Sequence, residues 1–79
     1  MEYTIHTPRQ LGQVLKGQRS TRHLTQAEVA TRVGLLPKTV SKLERDPDTA
    51  TLESLFKLLS SLQLELVVRP KPSSSASEW

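Results

Sequence analysis

The chain of 79 residues contains no cysteine. That removes disulfide frameworks, thiolate metal sites and thiol nucleophiles together, and it is compatible with a reducing compartment. Tryptophan, tyrosine and phenylalanine occur once each and glycine three times, with no glycine-rich phosphate loop. No apolar run approaches the ~20 residues of a membrane span, and no basic region followed by an apolar core opens the chain. A cytoplasmic protein without a membrane partner is therefore expected. His6 and His23 lie outside any His/Asp/Glu cluster with ligand spacing, so no metal and no cofactor is expected. The serines at 73 to 75 and Ser77 sit in a Pro- and Ser-rich tail that offers no preorganised base, and no catalytic residue is expected. The chemistry points away from an enzyme.

No glycine-rich or acidic linker divides the first 69 residues. We expect one domain over residues 1–69 and a flexible tail over 70–79 that ends in Trp79. A domain this small, without disulfide or metal, gains from oligomerisation.

The net charge is only +3, but it is unevenly placed. Between residues 9 and 45 there are eight Lys or Arg against two acids, Glu28 and Glu44, a net +6 that leaves −3 for the remainder. A basic segment of this kind is either a solvated helical surface or the footprint of a phosphate-binding surface.

Position on the helices separates the two. Thr7, Pro8 and Gln10 fit an N-cap, an N1 proline and the N3 member of a capping box, so a helix is expected from Pro8 to about Ser20 or Thr21, with Leu11, Val14 and Leu15 as its apolar stripe. Thr25 and Glu28 form a second capping box. The helix they open should close at Gly34, and Pro37 should start a third that runs to Glu44 or Arg45. "RDPDTAT", residues 45 to 51, has the composition of a turn. Thr51 can cap a fourth helix over 52–61, with Leu52, Leu55, Phe56, Leu59 and Leu62 on one side. After it, Leu62, Leu64, Leu66 and Val68 alternate with Gln63, Glu65 and Val67, the period of a half-buried strand. A lone strand in a helical domain must find a partner: the same strand of a second copy, or the β-prone "YTI" at residues 3–5. We take the first as the expectation, with Leu64, Leu66 and Val68 on the dimer strand.

Two short helices joined through Gly34 form a helix-turn-helix, whose second helix commonly enters the DNA major groove. Counted from Pro37, Lys38, Ser41, Lys42 and Arg45 share one polar, basic face, and Leu36, Val40 and Leu43 are expected to pack inward. Lys38 and Lys42 suit guanine O6 or N7, Ser41 a base or phosphate, and Arg45 the backbone. Thr39 borders the face and its methyl suits a thymine methyl. Gln26, in the first turn of the preceding helix, suits a phosphate. The bland alternative is an ordinary exposed amphipathic helix.

"GQRSTRHLTQAEVATRVGLLPKTVSKLE" resembles the lambda-repressor and Cro-like helix-turn-helix family through Arg19, Thr25-Gln26, Val29-Ala30, Gly34, Thr39-Val40-Ser41 and Glu44. The resemblance implies an all-α fold of four to five helices and a structural pair of Arg19 with Glu44. Leu36 and Pro37 stand where that family usually has a polar pair, which leaves direct readout to Lys38 and Lys42. "IHTPRQL", "DPDTATL", "FKLLSSLQLEL" and the terminal "EW" extend the likeness to the HipB-like antitoxins, operator-binding partners of HipA-type serine/threonine kinase toxins. This closer resemblance implies a bacterial, nucleoid-associated homodimer. In it the C-terminal β-strand pairs across the dimer, a palindromic double-stranded operator is bound, and Trp79 docks on the kinase. Two other readings stay open: a free-standing phage-type repressor without a kinase, and a protein-interaction adaptor that no longer binds DNA.

Overall fold

Threonine opens three of the four helices. In the computed structural model, which describes residues 2–72, α1 (Pro8–Thr21), α2 (Gln26–Arg32), α3 (Pro37–Arg45) and α4 (Leu52–Ser61) follow one another, with a single 3-10 turn at Pro47–Thr49. Thr7 accepts from the Gln10 N–H at 3.2 Å, while the Gln10 side chain accepts in return from the backbone N–H groups of His6 and Thr7. Thr25 and Glu28 make the same reciprocal box on α2. The Thr25 N–H holds the Glu28 carboxyl below its ordinary range, so this contribution is complete above that range and lost as the pH falls through the lowered value. Thr51 accepts from the Ser54 N–H and caps α4.

α3 is the exception. Its N-cap is Leu36, which has no side-chain acceptor, and no side chain caps the helix. Caps of the kind the other three helices carry are worth about 1 kcal/mol each.

Helices α1, α2 and α4 end alike. His23, Gly34 and Gln63 each adopt positive φ, and the next residue's N–H reaches back to Arg19, Ala30 or Leu59 to close the last turn. Only at Gly34, φ +72, is the residue one that takes this conformation without a steric penalty.

The caps and stops fix the angles at which the helices meet. Leu15, Val29, Ala30, Val40, Leu43, Leu58, Leu59 and Leu62 form the core, with Leu11, Leu24, Leu35, Ala50, Leu55 and Leu64 packed around it. Leu24, Leu35 and Ala50 each stand just before an N-cap, and Val29, Val40 and Leu55 five residues later join them in the core. That is the spacing of a hydrophobic staple. Ser61 is buried, and its hydroxyl donates to the Val29 carbonyl at 2.7 Å, tying α4 to α2.

Several expectations are corrected. Leu36 does not pack inward but is 57% exposed. Pro37 takes the first helical position, so the preceding residue is extended, φ −87 and ψ 147, and Leu35 takes the inward place instead. On α4 the expected Leu59 and Leu62 are buried and Leu55 packs beside them, but Leu58 joins them in the core while Leu52 and Phe56 are exposed, 71% and 50%. The covered side of this stretch is centred on Leu58, Leu59 and Leu62, which turns Leu52 and Phe56 toward solvent.

The expected C-terminal strand is absent among the described residues: 65–72 carry no regular structure, with no ladder and no backbone hydrogen bond. A strand is defined by pairing, and this single chain offers it no edge. The 2–6 segment lies close without pairing, touching it through Arg69, whose guanidinium donates to Glu2 and to the Thr4 hydroxyl. Leu64 packs on the core, whereas Leu66 and Val68 are exposed. The tail reading with Trp79 lies outside the described residues. No helix among the described residues is long and apolar enough to cross a membrane.

Candidate nucleic-acid interface

Glu44 is the polar hub of the helix-turn-helix. It lies near the end of α3, its side chain is 3% exposed, and its carboxylate accepts from Arg19 Nε at 2.6 Å and from a terminal guanidinium nitrogen at 3.1 Å. Such a two-pronged pair fits the planar guanidinium and fixes direction as well as distance. The third arm of Arg19 donates to the Leu24 carbonyl at 2.8 Å. Gln26 completes the group by donating its amide to Glu44 at 3.1 Å. The end of α1, the loop, the start of α2 and the end of α3 are thus joined through one carboxylate. The hydrogen bonding to the Glu44 carboxylate, opposed by burial and aided by charge attraction, raises the Arg19 pKa further above its already high ordinary value. The guanidinium stays charged across the working pH range.

α1 and α3 also meet backbone to backbone. A Cβ built on Gly12 would stand 2.5 Å from the Glu44 carbonyl oxygen, closer than side chains tolerate. Gly12 lets α3 settle against α1 with its outer face level. Gly12→Ala is expected to lower the unfolding free energy by about 1–3 kcal/mol in urea melts, because overpacking outweighs alanine's better helix propensity.

With its inner side fixed, α3 turns one clear face outward. Val40, Leu43 and Glu44 are buried, whereas Pro37, Lys38, Lys42 and Arg45 are exposed and Ser41 and Thr39 half-buried. Lys38, Ser41, Lys42 and Arg45 stand one turn apart in pairs on that face, with no acid among them. Arg45 lies in the last turn. Gln26 stands at the base of this surface rather than on it. One of its amide hydrogens is engaged by Glu44, and the residue is half-buried. The inward turn of Gln26 has no signal at its own position in the sequence. Leu36, the N-cap residue of α3, is exposed. Among the described residues no group of three His, Asp or Glu stands close enough to hold a metal ion.

An outward basic face on a short helix, braced from behind by two others, matches the geometry of major-groove readers. A helix-turn-helix family model matches residues 15–68. The chain is 38% identical to the antitoxin HipB of Escherichia coli strain K12 over 64 residues, covering 81% of this chain and 73% of that one. It is 36% identical to the antitoxin HipB of Escherichia coli O6:H1 over the same length, covering 81% and 68%. Among solved structures, HipB in a complex with an O2 20mer superposes with a TM-score of 0.87 at 35% identity, over 91% of this chain and all of that one. HipB in a HipA-HipB-O2-O3 complex superposes with a TM-score of 0.86 at 34% identity, over 90% and 100%. The chain belongs to the helix-turn-helix proteins and, within them, to the HipB antitoxin family.

Proposed function

We propose that this protein is the DNA-binding antitoxin of a HipA-type toxin–antitoxin system, a homodimer that binds a palindromic operator, represses its own operon and binds the kinase toxin. The carrying observation is the outer face of α3, where Lys38, Ser41, Lys42 and Arg45 stand together without an acid on a helix braced by Glu44. The relatives are antitoxins, and HipA occurs in one of the similar assemblies. Helix-turn-helix antitoxins of this family are not enzymes.

In this reading Lys38 and Lys42 read base edges, while Ser41, Arg45 and Gln26 hold phosphates and Thr39 borders a thymine. Two half-sites lie one helical turn, ~34 Å, or a small multiple apart. The second copy pairs along residues 63–69. Support comes from the exposed apolar Leu66, Val67 and Val68 and from the backbone of residues 65–69, which makes no backbone hydrogen bond in the single chain. Trp79 is the anchor for the kinase, since a buried tryptophan is a common hot spot. Nucleoid association would follow from operator binding.

The test is fluorescence anisotropy on the DNA upstream of the protein's own gene, at several salt concentrations, with a pull-down of the neighbouring kinase. Tight, salt-dependent binding and retention of the kinase by the full chain, but not by one ending at Glu78, are expected. Operator binding without kinase retention would favour the free-standing repressor, and retention without DNA binding the adaptor.

A further inference from the structure

Three helices of this fold begin on a threonine whose hydroxyl caps the first turn, and α3 begins on Leu36, which cannot. The helix thus lacks the side-chain cap that the other three carry. Leu36 is not in the core and is 57% exposed, and its neighbour Leu35 already provides the inward apolar contact. A leucine that gives up a cap and faces water, at the end of the helix that addresses DNA, breaks a local rule where functional surfaces break them. Pro37, also exposed, adds a second apolar surface one residue on. Because Pro37 has no N–H and a fixed φ, this edge is rigid. It offers no donor and no acceptor from its side chains.

Resting on the DNA-binding reading above, we propose that Leu36, backed by Pro37, is a specificity-determining residue that reads the 5-methyl group of one thymine in each half-site. The thymine methyl is the apolar group that projects into the major groove, and the N-terminal residues of a recognition helix lie nearest the base edges. Lys38, two residues on, is placed for a neighbouring hydrogen-bonding edge. The lysines select acceptors, and the apolar edge excludes cytosine and uracil at the adjoining position. Polar readout by Lys38 and Lys42 alone cannot sense the methyl itself, the one group that separates thymine from uracil.

The test uses the full-length protein and the duplex it selects most tightly from a random library. Each thymine is replaced in turn by deoxyuridine, which deletes only the methyl. One thymine per half-site should show weaker binding by about fourfold, equivalent to ~0.8 kcal/mol for one buried methyl, and about fifteenfold when both half-sites are changed. In Leu36→Ser that loss should vanish, while the melting temperature rises because serine restores the cap. The deoxyuridine series on the unaltered protein depends on no variant's folding. If no thymine shows the loss, or if Leu36→Ser shows it equally, Leu36 does not read a methyl. Selection of no duplex at all overturns the DNA-binding reading itself, and this inference with it.

Discussion

Replacing Lys38 and Lys42 together with alanine is expected to weaken operator binding by at least 30-fold. Each lysine is exposed on the outer face of α3, so neither substitution touches the core and thermal melting should be nearly unchanged. A lysine that reads a base contributes about 1–3 kcal/mol, and its loss relaxes preference at one position of the half-site. A lysine that meets only phosphate weakens binding on all sequences alike and shrinks the salt slope by about one unit per contact. Anisotropy titrations on operator and scrambled duplexes at several salt concentrations separate the two roles. Equal binding by the double variant and the unaltered protein, with equal salt slopes, would remove α3 from the DNA interface.

The second large effect concerns stability. Arg19→Ala strands the Glu44 carboxylate, 3% exposed, with only the Gln26 amide beside it, and leaves the Leu24 carbonyl without its donor. Breaking a buried pair from one side costs about 3–5 kcal/mol. Domains of this size are stable by roughly 5 kcal/mol. The melting temperature should fall by on the order of 15–30 °C, measured by circular dichroism. Replacing both partners with methionine should recover at least half of that loss, since no charge is then buried unpaired. Full stability in Arg19→Ala would mean that Glu44 finds water and that the hub is not structural.

Much of this architecture is legible in the sequence because its signals are local. Thr7 with Gln10 and Thr25 with Glu28 announce helix starts through partners three residues away, and Pro8, Gly34 and Pro37 mark ends that each residue's own backbone chemistry decides. Helix-length patterning is weaker for α4. Leucine is abundant there, and which leucines are covered depends on the angle at which α4 meets α2. Leu36 shows the same limit: periodicity counts it with Val40 and Leu43, but proline at N1 takes its backbone out of the helix. Gln26 could be assigned to a phosphate from its place in the first turn. Its bond to Glu44 spans eighteen residues, and nothing at either position signals it. The role of Gly12 is equally hidden, since its reason is a carbonyl on another helix. For residues 63–69 the alternation is present, but pairing is a property of two edges, and one chain holds only one of them.

The division of α3 into a braced inner side and an unencumbered outer one bears on how such loci multiply. Val40, Leu43 and Glu44 hold the helix, while Pro37, Lys38, Lys42 and Arg45 face out from the same nine residues. Address and scaffold are therefore separately editable. A duplicated copy of the gene could acquire a different operator through a handful of outward substitutions, with no repacking. Two such systems in one genome could then regulate themselves without crosstalk.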